Sequence, residues 1–371
     1  MPLVAHNALP TFERLRLEGE DVLSVERAEH QDIRELHVGL LNMMPDAALL
    51  VTEKQYMRLI GACNRITQIY VYPFSVPGLA RSPDALAHID AFYADFEQLK
   101  TTGLDALIIS GANVTNPSLD LEPFWGPLQE VIEWAASNVT SILCSCLATH
   151  ALVKHLYHLD REPFPHKLWG VYRHRVCDRG HPLTQDVNTI FDAPHSRWND
   201  VARTKWDSAG LRVLAESERA GVHLATSPDG FRIVYFQGHP EYDRVSLLKE
   251  YKREVNRFLD GEVPEPPPYP EHYFTPQADH LAQSYLREAL AGQVRGEARP
   301  EFPEASFDAL LDNTWGDTGR ALFNNWLGLV YQLTGLDRHE PFMPGIDPTD
   351  PLGIGYHAQA AAGRQQRGPQ A

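Results

Sequence analysis

The sequence is poor in cysteine, in positive charge and in long apolar runs, and each shortage excludes a class of protein. Four cysteines among 371 residues do not make a disulfide framework, which favours a reducing, cytoplasmic compartment. With 33 basic against 49 acidic side chains, the net charge of −16 argues against general nucleic-acid binding, which needs clustered cations. No apolar run approaches the roughly 20 residues of a membrane span. We therefore expect a globular protein without a nucleic-acid or membrane partner.

Signals for a metal or a bound cofactor are also missing. The 17 histidines are scattered along the chain, and Cys144 and Cys146 lack a second pair at structural-zinc spacing. No glycine-rich phosphate loop follows a predicted strand. The sequence thus predicts neither a metal site nor a resident cofactor.

Short apolar stretches alternate with stretches of helical periodicity through most of the chain. Strands are predicted over residues 36–42, 66–72, 106–109, 140–144 and 233–236, and helices over 52–60, 91–100, 127–136, 148–157 and 247–259. This alternation predicts an α/β fold, a doubly wound and mostly parallel sheet with helices on both faces. Such sheets bind ligands beyond the carboxyl ends of their strands.

The last third of the chain has a different character. Residues 261–276 are rich in proline, which donates no backbone hydrogen bond, so they predict a stiff connector. Two helices follow within 279–335. We assign 1–337 to one domain and expect 338–371, rich in Pro, Gly, Gln and Ala, to be a loosely ordered tail.

Cys146 stands on a predicted strand-to-helix turn, where a thiol is exposed and near a helix N-terminus. Backbone N–H groups at such a turn, including that of Leu147, can face a developing oxyanion. A buried structural cysteine is the alternative interpretation. Cys144 competes for the nucleophile's role but falls within the strand, where its side chain is expected to point into the packed sheet.

His239 and Glu241 follow the strand predicted over 233–236. The imidazole is expected at the same sheet edge as Cys146, with Glu241 orienting the ring and stabilising its protonated form. A satisfied surface or capping histidine is the alternative. The functional interpretation gains weight because all three side chains follow strand ends of one sheet.

Several ordered motifs extend the argument from single residues to a family. The sequence resembles homoserine O-acyltransferases of the class I glutamine amidotransferase-like family over about residues 1–335. The resemblance is carried by His30-Gln31-Asp32-Ile33-Arg34, Leu41-Asn42-Met43-Met44-Pro45, Ser110-Gly111-Ala112, Lys167-Leu168-Trp169-Gly170-Val171, Pro194-His195-Ser196-Arg197, Gly238-His239-Pro240-Glu241-Tyr242 and Asn325-Trp326-Leu327.

The resemblance implies roles for particular residues. It makes Cys146 the acyl-thioester cysteine, His239 the general base and Glu241 the acid of a triad. It also implies substrate binding by Lys167, Ser196 and Arg253, acyl-donor discrimination at Thr115, ping-pong transfer to L-homoserine in methionine biosynthesis, and a homodimer.

The identity of the acyl donor depends on electrostatics at Thr115. In similar enzymes a Glu at this position goes with acetyl-CoA and a Gly with succinyl-CoA; Thr is uncharged and would not repel a succinyl carboxylate. Succinyl-CoA is therefore the preferred donor. Three alternatives remain: an acetyl-CoA enzyme, an amidotransferase-like hydrolase, and a non-catalytic metabolite-binding relative. The last is suggested because Leu147-Ala148 replaces the family's Trp-Gly after the cysteine.

Overall fold

The computed structural model describes residues 3–31, 33–63, 67–114 and 116–355. Its strands are β1 Leu3–Ala5, β2 Val22–Ser24, β3 Glu35–Leu41, β4 Gln68–Phe74, β5 Ala106–Ile109, β6 Ser141–Ser145, β7 Glu162–Val176, β8 Ile190–Asp200, β9 Arg212–Ser217, β10 Gly221–Thr226 and β11 Ile233–Phe236. Its helices are α1 Pro10–Leu17, α2 Val25–Glu29, α3 Asp46–Gly61, α4 Pro83–Phe92, α5 Phe96–Thr102, α6 Trp125–Asn138, α7 Leu147–Tyr157, α8 Arg203–Ser208, α9 Ser246–Leu259, α10 Pro276–Arg295, α11 Glu304–Asp308 and α12 Gly316–Leu333. None of these helices has the length and apolarity needed to cross a membrane.

Within the described residues, the strands form one sheet in the order β2-β1-β4-β3-β5-β6-β11-β10-β9-β7-β8. The seven strands from β2 to β11 pair in parallel, whereas β11, β10, β9, β7 and β8 pair antiparallel to one another. This arrangement confirms the predicted α/β class and the mostly parallel sheet. The antiparallel extension carries β7 and β8, the strands on which Lys167 and Ser196 lie.

Helices cover both faces of the parallel part of the sheet because its strands are apolar on both faces. On β5, Ile108 packs in one core with side chains of α1, α3 and α12, whereas Leu107 and Ile109 pack in a second core with α6 and α7. A third apolar cluster, separate from these two, joins α9, α10 and α11 to the β7 residues Trp169 and Val171. This third cluster places α9 against the middle of β7.

The carboxyl ends of β5, β6 and β11 are brought side by side by their register. Ile109 pairs with Cys144, and Phe236 pairs with Ser145. The residues that follow these strands therefore meet, and the Cys146 N–H donates to the Phe236 carbonyl at 2.8 Å. The edge where parallel sheets bind ligands is thus built around Cys146.

The proline-rich segment forms a wall of the cavity at this edge, a role that its composition alone did not predict. Residues 263–268 line the cavity. The segment is fixed beyond them at Glu271, whose N–H donates to the Trp169 carbonyl and whose carbonyl accepts from the Val171 N–H, both at 2.8 Å. Gly170, between those two partners, has a φ of 149°, and an added Cβ would lie 2.2 Å from the Glu271 carbonyl oxygen.

Replacing Gly170 with alanine is expected to lower the free energy of unfolding by about 2–4 kcal/mol, because the new Cβ adds backbone strain to a clash. Urea denaturation would measure the loss. Gly126→Ala is the matched control, since an added Cβ there meets nothing within 4 Å. Equal stability of the two variants would contradict the close approach at Glu271.

Two expectations from the sequence are corrected by the structure. The helix predicted over 91–100 is two helices, α4 and α5, which are separated at residues 93–95 where Asp95 caps α5 through a hydrogen bond from the Gln98 N–H. Residues 338–355 are not loose, because Phe342 is buried, Arg232 lies over its ring, and the Met343 N–H donates to the Leu333 carbonyl. Apolar packing by Phe342 anchors this part of the tail.

Candidate active site

Cys146 occupies a sharp turn between β6 and α7. Its φ of 53° and ψ of −111° are unusual for a residue with a side chain, and such strain is found at functional turns. Gly111, two residues after β5, lies beside it: an added Cβ on Gly111 would lie 3.5 Å from the Cys146 Cβ, an ordinary contact distance. The N–H of Leu147, the first residue of α7, has no acceptor within its own helix by helix geometry. The turn therefore combines a partly exposed thiol with free backbone donors.

His239 and Glu241 follow β11 and are both buried. The His239 Nδ1–H donates to Glu241 Oε1 at 2.8 Å, and the His239 N–H donates to the Pro194 carbonyl at 2.9 Å, which fixes the ring. Since Nδ1 is engaged, Nε2 is the nitrogen left to exchange a proton with Cys146, whose charge acts on the ring. Burial opposes protonation of His239 most strongly, but the charges and hydrogen bonds of Cys146 and Glu241 outweigh it and raise the His239 pKa well above its usual value.

Cys144 is placed differently from Cys146. It is fully buried in the second core, where its Sγ lies 3.5 Å from the Thr149 hydroxyl. Burial raises the pKa of its thiol to about 12, so it remains protonated at neutral pH. Cys144 is therefore a packing residue with a weak hydrogen bond.

Lys167 and Ser196 converge on a residue that the sequence argument did not single out, Glu250 of α9. Glu250 Oε2 accepts from Lys167 Nζ at 2.9 Å and from the Ser196 hydroxyl at 2.6 Å, and Oε1 accepts from the Tyr242 hydroxyl at 2.9 Å. Burial alone would raise the pKa of Glu250, but the Lys167 charge and these hydrogen bonds lower it. The Tyr242 ring in turn stacks on His239 at 4.2 Å between centroids.

Arg253 lies one helical turn beyond Glu250 and lines the same cavity, but its guanidinium is already engaged. Its Nε and Nη2 lie 3.1 and 3.0 Å from Glu254 Oε1, and the side chain is about half exposed. A bidentate contact of Arg253 with a substrate carboxylate therefore requires either that the Glu254 side chain move away or that Arg253 Nη1 take part.

These side chains line one cavity of about 1280 Å³, larger than the ~300–1,000 Å³ typical of small-ligand pockets. Its lining includes Cys146, His239, Lys167, Ser196 and Arg253. Thr115, the predicted donor-discriminating residue, lies outside the described residues, although its neighbours Val114 and Asn116 line the cavity.

Three buried histidines behind the cavity bear on the expectation of no metal site. Ligand nitrogens of His174, His195 and His223 lie within 4.8 Å of one another, and burial lowers the pKa of each, that of His174 to about 4. The hydrogen bonds indicate which ring nitrogen of His195 carries the proton. Arg197 Nε donates to His195 Nδ1, so the proton is on His195 Nε2, which donates to His174 Nε2 at 3.1 Å. Those bonds use the lone pairs of His174 and His195 that a metal would need, so we interpret these two residues as hydrogen-bonded imidazoles.

Comparison with known proteins decides the family. A family model described as homoserine O-succinyltransferase matches residues 2–336. The chain belongs to the homoserine O-succinyltransferase family. A homoserine O-succinyltransferase of Methylobacter tundripaludum is 57% identical over 354 residues, which cover 95% of this chain and 100% of that protein. One of Methylococcus capsulatus is 58% identical, again over 95% of this chain and 100% of that protein.

Family membership confirms the resemblance drawn from the motifs. A solved glutamine amidotransferase from Thermotoga maritima is also similar, with a TM-score of 0.44 and 11% identity over 81% of this chain and 99% of that one. The departure from the family at Leu147-Ala148 leaves the turn intact, since Cys146 keeps its positive φ and α7 begins at Leu147.

Proposed function

We propose that this protein transfers a succinyl group from succinyl-CoA to the hydroxyl of L-homoserine, a step of methionine biosynthesis. The main support is the near-full-length similarity to relatives named homoserine O-succinyltransferase. The arrangement of Cys146, His239 and Glu241 supports a ping-pong route through a thioester on Cys146.

In the first half-reaction, the Cys146 thiolate attacks the thioester carbonyl of succinyl-CoA. The carbonyl oxygen becomes an oxyanion that the Leu147 N–H at the start of α7 stabilises. When the oxyanion collapses, the bond to the CoA sulfur breaks, and CoA leaves with the proton that His239 Nε2 carried. Cys146 is left succinylated and His239 neutral.

In the second half-reaction, neutral His239 takes the proton of the homoserine hydroxyl while that oxygen attacks the Cys146 thioester. Cys146 leaves as the thiolate, and the thiolate–imidazolium pair is restored. Glu241 holds the ring and its Nδ1 proton throughout, which favours protonation at Nε2 in each cycle.

The acceptor amino acid is proposed to bind on the side of the cavity lined by Glu250, Lys167, Ser196 and Arg253. Arg253 offers a cation to the homoserine carboxylate. Glu250, kept ionised by Lys167 and two hydroxyl donors, offers an anion to the ammonium group and fixes Lys167 and Ser196 in place. Thr115 is proposed to discriminate between acyl donors, since it adds no charge beside Val114 and Asn116.

The proposal is tested by steady-state assays with L-homoserine and either succinyl-CoA or acetyl-CoA. We expect the higher kcat/KM with succinyl-CoA, and a stoichiometric burst of CoA when homoserine is left out. A preference for acetyl-CoA would reassign the donor. Continuous release of succinate without homoserine would identify a hydrolase, and no labelling of Cys146 would identify a binding protein.

Replacing Glu250 with glutamine is expected to raise the KM for homoserine by about 10- to 100-fold, because a charged hydrogen-bonding group is lost. The burst of CoA from succinyl-CoA alone should stay within about threefold of wild type. Glu304→Gln is the matched control, since Glu304 pairs with Lys252 outside the cavity lining. An equal loss in both half-reactions would show that Glu250 acts on the whole site rather than on the acceptor.

Two properties are proposed on other grounds. Cytoplasmic location is inferred from the small number of cysteines, and a homodimer is implied by the family. Fractionation of cells would test the location. Sedimentation equilibrium would test the assembly, and a monomer at micromolar concentration would contradict it.

A further inference from the structure

Arg161 is a partly buried cation that lines the cavity and that the proposed mechanism does not use. It lies between α7 and β7. Its Nη2 donates long hydrogen bonds of 3.3 Å to the carbonyls of Asn116 and Pro117, and its Nε is buried without an acceptor among the described residues. Burial lowers the Arg161 pKa, but arginine stays charged in proteins. A buried, charged donor without an acceptor is costly unless a ligand supplies one.

Among the described cations that line the cavity, Lys249 also lacks an ion pair but is exposed, whereas the others are paired, which sets the partly buried Arg161 apart. Lys167 pairs with Glu250, Arg253 with Glu254, and Arg197 with Asp200. Within the part of the chain that the structure describes, Arg161 has no carboxylate within 4.0 Å.

Glu122 is the carboxylate whose charge acts on Arg161. It raises the Arg161 pKa from a longer distance, and its Oε1 accepts the Asn116 N–H at 2.7 Å. Glu122 thus holds the loop that carries Asn116. Arg161 Nη1, which makes no hydrogen bond within the described residues and is not buried, remains available for an anion in the cavity.

Arg161 lies in the part of the cavity where the acyl group of the donor is expected to bind. Cys146 is close enough for its charge to act on Arg161, and Arg161 acts in turn on His150, another residue of the cavity. Its carbonyl contacts lie on Asn116 and Pro117, directly after Thr115. In succinyl-CoA the distal carboxylate lies two methylene groups beyond the carbonyl that Cys146 attacks.

We propose that Arg161 binds the distal carboxylate of the succinyl group and selects dicarboxylic acyl donors over acetyl-CoA. The inference rests on the proposed acyl transfer through Cys146 and adds the source of its donor selectivity. A carboxylate in the cavity accepts from Arg161 Nη1 and replaces water around a cation that burial has already partly desolvated. Acetyl-CoA lacks this group and gains nothing from the contact.

The test compares kcat/KM for succinyl-CoA and acetyl-CoA in Arg161→Gln and Arg161→Lys. Arg161→Gln should lower the value for succinyl-CoA by about 10- to 100-fold and leave that for acetyl-CoA within about threefold, because a charge-assisted hydrogen bond is lost with one donor only. Arg161→Lys should retain part of the preference. Arg257→Gln is the control, since Arg257 lines the same cavity but pairs with Glu254 and Glu262.

A second readout does not depend on turnover. Free succinate should slow alkylation of Cys146 in the wild type, slow it less in Arg161→Lys, and have no such effect in Arg161→Gln at the same concentration. An unchanged donor ratio, or equal losses with both donors, would overturn the assignment. If the wild type is not succinylated on Cys146 at all, the proposed function fails; if it is and the ratio does not move, only the role of Arg161 fails.

Discussion

Replacing Cys146 with alanine is expected to abolish succinyl transfer, with kcat falling by about 10⁴-fold or more, because no other nucleophile stands at the turn. Incubation with succinyl-CoA alone should release no burst of CoA. Mass spectrometry should find the wild-type protein heavier by one succinyl group on the peptide containing Cys146, and the variant unmodified.

Cys144→Ala provides the matched control two residues away. Cys144 is buried, and the raised pKa of its thiol keeps it protonated, so its removal should leave most of the activity. We expect a loss of about 1 kcal/mol in stability from the small cavity. If Cys144→Ala were inactive and Cys146→Ala active, the nucleophile would move to the strand and the proposed chemistry would be wrong.

The contrast between these two cysteines was predictable because it depends on local structure. A short, fully buried strand followed by a helix places Cys144 inside and Cys146 at the turn, and both ends of β6 lie within one residue of the prediction. The same local rule locates His239, since β11 was predicted with its observed ends. The carboxyl ends of neighbouring parallel strands must meet, so the approach of Cys146 and His239 follows from topology.

The partners of Lys167 and Ser196 could not be predicted in this way. Glu250 reaches them from α9, more than fifty residues further along the chain, and the position of α9 depends on apolar packing against Trp169. The one signal in the sequence was that Glu250 precedes Arg253 by one helical turn, which places both on one face. A charged pair on a helix is more often solvated, so the pattern alone does not indicate burial.

Arg161 was missed for a related reason. It follows α7 in a polar stretch that reads as an ordinary loop, and its burial results from contact with residues 116 and 117, which lie more than forty positions earlier. The antiparallel strands β7 to β10 also escaped prediction, since their alternation is mixed with charged residues. Long-range packing, rather than local propensity, determines both features.

Replacing Glu241 with glutamine is expected to lower the rate of the CoA burst by about 10²- to 10⁴-fold, because His239 loses the carboxylate that orients it and stabilises its charge. In the wild type the raised His239 pKa favours the imidazolium at neutral pH. Without the Glu241 charge the His239 pKa falls, so the pH midpoint of Cys146 alkylation by iodoacetamide should move upward by about 1 unit or more.

The same change has a signature in folding stability. A histidine whose pKa is raised by folding contributes stability that is fully present below pH 6.5, its usual pKa, and is lost as the pH rises through the folded value. Glu241→Gln should therefore have a lower free energy of unfolding than the wild type at acidic and neutral pH. The free energies of unfolding of the two proteins should converge at alkaline pH. Glu35→Gln removes the carboxylate 3.1 Å from His37 and should leave the alkylation profile of Cys146 unchanged. An alkylation midpoint that stays at the wild-type pH in Glu241→Gln would mean that the thiolate is stabilised by α7 alone.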